Sequence, residues 1–366
     1  MTMPPAPPLP PLPPVPAGDV PAGGGMPASP AYPPAFVPVV PPQQVVLPPL
    51  PRDATTGGLA FHRLVFARRR WGWWTPLAVG GLGLAFYLAL TMVLVAVMVV
   101  AMLNDPTAFD SLETFTQTMT IDTSDPFMLA IALGSIALML PSYQLASLIV
   151  NGTRLGLISS AAGRLRWAWM LRCGVVALVV AIVLTGLMLL IPGEAPGGAL
   201  SPLWAVSLLI VLLLVPVQAA AEEYVFRGYL AQAIGRWLRH PAFAILLPVP
   251  LFMLGHLYDW VGQLGVGLFA VAAGWLTWRT GGLEAAIALH VVNNTVAFVL
   301  AVVTGSDPTE TDTSVVSFLW SLLLIGCYVG IVEWMLRRRP LARTVVITPP
   351  LPAAPAFPAA VSSSAS

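Results

Sequence analysis

Three short clusters of polar residues interrupt apolar stretches in the C-terminal half of the chain. The first is Glu222-Glu223 with Arg227, which follows an apolar run that begins at Leu203. Glu223 and Arg227 are four residues apart, so they share a helix face in the order that favours an ion pair. Glu222 lies about 100° away around the helix and has no cation near it in the sequence, which leaves it free to act as a base. The alternative is a pair of glutamates that lines or caps a helix end.

The other two clusters each place a histidine in an apolar stretch. Phe252 precedes His256 by four residues, and His290 precedes Asn294 by four. Imidazole and amide groups donate and accept hydrogen bonds, and such residues in membrane helices also bond one helix to the next. Of the four histidines in the chain, only His256 and His290 lie in predicted membrane spans. Taken together, the three clusters indicate a functional site, because ionisable groups are costly inside a membrane.

The elements that carry these residues must be membrane helices. The chain is 57% hydrophobic and 9% charged, with a mean hydropathy of +0.83, whereas soluble domains carry roughly 25% charged residues. A chain this poor in charge has lipid as its solvent over most of its surface. The predicted surroundings are therefore a lipid bilayer, with no nucleic-acid partner.

Eight apolar segments predict an all-α, polytopic helical bundle of about eight transmembrane helices. Their ranges are 76–103, 126–150, 171–192, 203–226, 241–259, 262–279, 283–304 and 315–336. The fifth segment contains Pro248 and Pro250, which should kink or break it. Counted at 1.5 Å per residue, His256 lies about 22 Å along this segment, whereas His290 lies about 10 Å along the seventh. The two histidines meet only if the fifth helix starts outside the hydrocarbon or if the prolines redirect it, so we expect protruding ends on helices four and five.

The connecting segments alternate in charge. The chain has no Lys, and its 17 basic residues are all Arg. Arginines precede the first segment and follow the second, fourth, sixth and eighth, whereas the other connections carry acidic residues and no base. The positive-inside rule then predicts an even number of spans with both termini in the cytoplasm, as in a multi-pass protein of the cell membrane.

Three domains follow from the composition. Residues 1–60 contain most of the 38 prolines and predict a disordered cytoplasmic tail. Residues 61–340 form the predicted eight-helix membrane domain, and residues 341–366 form a second disordered tail.

The order and spacing of the three motifs resemble the CPBP family of intramembrane endopeptidases, also called the CAAX-protease, bacteriocin-processing or Abi family. Its pattern is Glu-Glu-x-x-x-Arg, then Phe-x-x-x-His, then His-x-x-x-Asn, and all three motifs are complete here. The resemblance implies a membrane cavity in which Glu222 and His256 activate a water molecule. It also implies that His290 and Asn294 stabilise the oxyanion, with Glu223, Arg227 and Phe252 in support. The implied partner is a peptide or membrane-protein substrate.

The sequence leaves other functions open. Glu222, His256 and His290 would also suit a zinc ion, so a water-only and a zinc-dependent mechanism both stay open. A non-enzymatic immunity or scaffold protein of the same fold is a second hypothesis. A proton-coupled transporter is a third, and it would predict an inverted repeat, which the sequence does not display.

Overall fold

The computed structural model describes residues 50–105, 107–118, 120–191, 200–305 and 314–348. The α-helices within these ranges are, in chain order, α1 (Thr75–Asn104), α2 (Thr107–Thr118), α3 (Pro126–Ala137), α4 (Met139–Asn151), α5 (Trp167–Met188), α6 (Trp204–Glu223), α7 (Ala231–Trp237), α8 (Pro241–Leu246), α9 (Pro248–Leu254), α10 (Trp260–Thr280), α11 (Glu284–Thr304) and α12 (Val315–Arg338). A π-helix, Tyr224–Leu230, connects α6 to α7, and the two short strands are β1 (Leu59–Ala60) and β2 (Thr344–Val345).

All eight predicted segments are helical, and the all-α polytopic bundle is confirmed. Seven helical runs in the described part of the chain are long and apolar enough to cross a membrane. The second segment is one such run, formed by α3 and α4 together. The fifth segment, Pro241–Leu254, is shorter than the others. The eight predicted segments therefore correspond to seven full-length helical runs and one short, broken helix.

The fifth segment is broken at a predicted proline. Helix α8 ends at Leu246 and α9 begins at Pro248, because proline lacks the N–H that would continue the helix. The prediction that the segment continues as helix to residue 259 is wrong, since α9 ends at Leu254. His256 consequently lies in the loop between α9 and α10, and not on a helix.

The fourth segment is longer than predicted. It does not end at residue 226 but runs for 34 residues, Trp204–Trp237, which is about 51 Å at 1.5 Å per residue. This exceeds the hydrocarbon thickness of about 30 Å. Glu222 and Glu223 therefore occupy the interior of a long helical run and do not cap its end.

The basic connections contact one another at one end of the bundle. Residues 50–74, 151–167, 234–243, 279–284 and 333–348 form this end, which we call the arginine face. Arg154 donates a hydrogen bond to the Ala67 carbonyl, and Arg236 donates one to the Trp71 carbonyl. The arginines that alternate along the sequence thus converge in space.

The first and last described segments also meet at the arginine face. Strand β1 pairs antiparallel with β2, with Leu59 opposite Val345. The chain therefore enters and leaves the bundle at the same end, as an even number of crossings requires. The predicted tails, 1–60 and 341–366, lie mostly outside the described residues. The inner end of the N-terminal one is packed, since Ala54 and Leu59 are fully buried.

Helix α11 lies at the centre of the bundle and packs against α5, α6 and α10. Its first half is buried and rich in small residues, including Ala285 and Ala286, which allow close approach of neighbouring helices. Tyr328 of α12 is fully buried and donates a hydrogen bond of 2.7 Å to the Ala285 carbonyl. This central position lets α11 present His290 and Asn294 to the helices around it.

Candidate active site

The glutamate pair stands at a change of helix type. Glu222 and Glu223 are the last two residues of α6, and the π-helix Tyr224–Leu230 follows at once. Widened π-turns inside helices often occur at functional sites. Both glutamates are buried, at 6% and 0% exposure.

Glu223 joins two of the predicted motifs. Its Oε1 accepts a hydrogen bond of 2.9 Å from Nη1 of Arg227, the predicted ion pair. The same oxygen lies 2.7 Å from Nδ1 of His290 on α11. Since an ionised carboxylate only accepts hydrogen bonds, Nδ1 of His290 is the donor. Glu223 therefore fixes the orientation of the imidazole as well as that of Arg227.

Glu222 is held by a residue that the sequence interpretation did not single out. Nε2 of Gln218 donates a hydrogen bond of 2.6 Å to Oε1 of Glu222. The other oxygen, Oε2, is 3.6 Å from Nε2 of His290 and has no hydrogen-bond partner among the described residues. Glu222 thus keeps one buried carboxylate oxygen available beside an imidazole.

Asn294 completes this polar chain from the side of α11. Its Nδ2 donates to Oε1 of Gln218 at 3.4 Å, and its Oδ1 accepts from Asn293 at 3.2 Å. Gln218 consequently links Glu222 to Asn294 across the interface of α6 and α11. A signal for Gln218 exists in the sequence, because it is an amide in an apolar run four residues before Glu222 and on the same helix face.

His256 is placed by a different set of contacts. Its Nδ1 is 2.8 Å from the Phe252 carbonyl, and its ring lies 4.7 Å from the Phe252 ring. A carbonyl only accepts, so Nδ1 carries a proton and Nε2 of the neutral ring carries the lone pair. The guanidinium group of Arg227 also stacks on the Phe252 ring, with the guanidinium carbon 4.3 Å from the ring centre.

Three of the four predicted catalytic residues line one cavity of about 250 Å³. His256, His290 and Asn294 contribute polar groups, and aromatic side chains such as Phe252, Phe269 and Phe298 supply much of the apolar wall. Phe269 of α10, whose ring centre is 5.0 Å from that of His290, carried no signal in the sequence. Glu222 is not among the lining residues, but its Oε2 lies 3.6 Å from Nε2 of His290, which does line the cavity.

The candidate zinc ligands are not assembled. In the described part of the chain, no three His, Cys, Asp or Glu side chains are grouped so that they could hold a metal ion. His256 bonds its own backbone turn, while Glu222 and His290 face each other. The donor set Glu222, His256 and His290 therefore does not fit a zinc ion in this arrangement.

The segment that carries this site matches known proteins. Residues 202–296 match the family described as type II CAAX prenyl endopeptidase Rce1-like. The chain is also 35% identical over 91 residues to the uncharacterized protein YyaK of Bacillus subtilis (strain 168). This match spans 23% of the chain and 30% of that relative. No solved structure matches the chain.

The family match coincides with the three motifs, since residues 202–296 contain Glu222, His256 and Asn294. The resemblance predicted from the motifs is confirmed. Over residues 202–296, the chain is therefore similar to the Rce1-like family, which is described as type II CAAX prenyl endopeptidase.

Proposed function

We propose that the protein is an intramembrane endopeptidase of the CAAX-protease type, with Glu222, His256, His290 and Asn294 as its catalytic residues. One observation carries the proposal. Glu222 holds a buried carboxylate oxygen without a hydrogen-bond partner among the described residues, 3.6 Å from His290, and His290 lines an apolar cavity. A buried, oriented carboxylate beside a cavity is the arrangement that a general base requires.

In this mechanism, Glu222 and His256 activate the attacking water. The water oxygen adds to the carbonyl carbon of the scissile peptide bond as Glu222 takes the proton. The lone pair on Nε2 of His256 can accept a second hydrogen bond from the same water. The proton then passes to the leaving amide nitrogen, and the carbon–nitrogen bond breaks.

His290 and Asn294 stabilise the oxyanion of the tetrahedral intermediate. Asn294 keeps one N–H of its amide after donation to Gln218. Because Nδ1 of His290 already donates to Glu223, Nε2 is the ring nitrogen that remains to donate a hydrogen bond to an oxyanion. Such donors lower the barrier most when they are fixed before the reaction, and Glu223 holds the imidazole in this way.

The test is cleavage by the purified protein in lipid nanodiscs. The probe is a quenched fluorescent peptide that ends in a farnesylated Cys-aliphatic-aliphatic-X sequence. We expect Glu222→Gln to lower kcat by at least about a hundredfold, the usual range for a general base. Glu113→Gln is the matched control, because Glu113 is exposed on α2.

Equal rates for the wild type and Glu222→Gln would refute the assignment of Glu222. A second arm compares the membrane-derived peptides of cells that express the wild type or Glu222→Gln. If neither the probe nor any cellular peptide depends on Glu222, the non-enzymatic alternative replaces the proposal.

A further inference from the structure

A second cluster of polar side chains lies at the arginine face, apart from the candidate active site. Its centre is Arg68, which is 3% exposed. Nη1 of Arg68 donates to Oγ of Ser147 at 2.9 Å, and Nη2 donates to the carbonyls of Ser147 and Gly152 at 3.0 and 2.8 Å. Nε is buried and has no hydrogen-bond partner among the described residues. The groups that bind this guanidinium are thus all neutral.

The other buried arginines in the described part of the chain each have a carboxylate partner. Arg63 pairs with Asp53 at 2.7 Å. Arg227 pairs with Glu223 at 2.9 Å, whereas no described Asp or Glu forms an ion pair with Arg68. Burial lowers the pKa of Arg68 to about 10, which still leaves the guanidinium protonated at pH 7. Because buried charges in proteins are normally paired, Arg68 is a cation whose charge no described side chain compensates.

The helix ends around Arg68 do not neutralise it either. The carbonyls of Ser147 and Gly152 belong to the C-terminal end of α4, which carries about half a negative elementary charge. Thr75 and Pro76, the first two residues of α1, line the same cavity as Arg68. This N-terminus carries about half a positive elementary charge, and no side chain caps it. The two helix ends cancel, so a net charge of about +1 remains at Arg68.

The cavity beside Arg68 is small and carries hydrogen-bond donors. Its volume is about 20 Å³, which suits one particle of about the size of a water molecule. The polar residues that line it, none of them acidic, are Arg68, Thr75, Ser147, Asn151, Tyr229 and Gln232. Gln232 donates one amide hydrogen to the Leu157 carbonyl, and Asn151 donates one to the Arg70 carbonyl, so each amide keeps a second hydrogen. Surplus positive charge and free N–H groups favour an anion, and the volume excludes a phosphate with its five heavy atoms.

We infer that this cavity binds one small monovalent anion of the halide class, such as chloride, as the counter-ion of Arg68. The ion lies where three helices meet, since Thr75 belongs to α1, Ser147 to α4 and Gln232 to α7. Its binding therefore stabilises the packing of α1 and α4 against the long helical run that also carries the glutamate pair. A water molecule would fit the same space, but it would leave the charge of Arg68 uncompensated. The inference does not depend on the proposed peptidase function.

The first test is thermal unfolding of the purified protein in phosphatidylcholine nanodiscs, in mixtures of sodium chloride and sodium gluconate at constant ionic strength. Gluconate is a six-carbon carboxylate and is too large for the cavity. Because a ligand that binds only the folded state stabilises it, we expect the Tm to rise with the chloride concentration. The rise should be about 5–10 °C at about a hundred times the dissociation constant. The same Tm in chloride and in gluconate would overturn the inference.

Three variants assign the effect of chloride to this cavity. Arg68→Gln removes the charge, so its Tm should not depend on chloride. Arg70→Gln is the matched control, because Arg70 is an exposed arginine two residues away, and its Tm should depend on chloride as in the wild type. Ser147→Asp places a carboxylate beside Nη1 of Arg68 and should make the Tm in gluconate as high as in chloride. A full chloride response in Arg68→Gln, or its loss in Arg70→Gln, would show that chloride acts elsewhere and would refute the site.

A direct binding measurement needs no variant and decides the matter even if Arg68→Gln does not fold. In equilibrium dialysis against radioactive chloride, the wild-type protein should retain one chloride ion per chain. Bromide should displace it, and gluconate should not. Retention of no chloride would overturn the inference. If the Tm instead depended on phosphatidylglycerol added to the nanodiscs and not on chloride, the ligand would be a lipid phosphate, and a site for a small anion would be wrong.

Discussion

At the scale of single residues, the candidate site depends on one carboxylate oxygen that serves two partners. Oε1 of Glu223 accepts hydrogen bonds from Arg227 and from His290. Arg227 is 3% exposed, and Glu223 is fully buried. A buried ion pair does not need to make the fold more stable than apolar residues of the same size would. The loss of one partner, however, leaves the other charge buried and unpaired, which destabilises the fold.

Arg227→Ala should therefore lower the free energy of unfolding by about 3–5 kcal/mol, the usual cost of breaking a buried pair. The chain offers a matched control in Arg337→Ala, because Arg337 also pairs with a glutamate four residues before it, Glu333, but is 75% exposed. For this exposed pair we expect about 0–1 kcal/mol. Thermal unfolding in nanodiscs, followed by tryptophan fluorescence, measures both. Similar losses for the two variants would contradict the role of burial.

Gln218 gives a second residue-scale prediction. Gln218→Leu removes the hydrogen bond to Oε1 of Glu222, and with it the link to Asn294. A hydrogen bond to a charged group is worth about 1.5–3 kcal/mol, which corresponds to a fall in kcat of roughly tenfold to a hundredfold. Gln117→Leu is the control, since Gln117 donates to Glu113 four residues away on an exposed helix. Unchanged kcat with Gln218→Leu would show that Glu222 does not need this partner.

At the scale of elements, the short helix Phe61–Ala67 packs against α7 at the arginine face. Gly235 of α7 permits this contact, because a Cβ atom there would lie 1.8 Å from the His62 carbonyl oxygen. Such an overlap with backbone atoms must move one element away from the other. The N-terminal segment therefore depends on the absence of one side chain on α7.

Gly235→Ala should accordingly displace residues 61–67 and make them sensitive to added protease. Gly174→Ala in α5 is the control, because its Cβ would meet nothing within 4 Å. We expect the control to be as resistant as the wild type. The cleavage positions are read by mass spectrometry. Equal resistance of Gly235→Ala and Gly174→Ala would contradict this prediction, because residues 61–67 would then stay ordered despite the added side chain on α7.

At the scale of the whole molecule, the two ends of the described chain hold each other. Strand β2 covers β1, and Nη1 of Arg166 donates to the Ala342 carbonyl. The N–H of Ile347 donates to the Ala54 carbonyl at 2.8 Å. The C-terminal segment thus ties the N-terminal segment to the loop before α5, at the end of the bundle where the arginines gather.

Two truncations test this tie. A chain that ends at residue 348 keeps β2, whereas a chain that ends at residue 340 loses it. We expect the shorter chain to unfold at a lower Tm because Leu59 and Ala54, both fully buried, become exposed, and the longer chain to match the full-length protein. If both truncations have the same Tm as the full chain, the pairing of β1 with β2 contributes nothing to stability.

The sequence by itself determined that lipid surrounds most of this protein, and it indicated most residues of the candidate site, although not Gln218 or Phe269. Lipid follows from composition, because a chain with 9% charged residues cannot cover a water-facing surface. The pair Glu223–Arg227 follows from spacing, because residues four apart in a helix are always neighbours. Convergence of the arginines follows from their alternation between apolar segments. These properties are local or additive, so they can be found without knowing how the helices pack.

Only the tertiary structure decided which polar groups meet. The sequence interpretation contained no contact between the glutamates and His290, whereas the structure places Glu222 and Glu223 beside His290, which is 67 residues later in the chain than Glu223. It also moved His256 off its predicted helix and into the loop after α9. These features depend on the distances, rotations and depths of helices far apart in sequence. Periodicity within one helix contains no information about them.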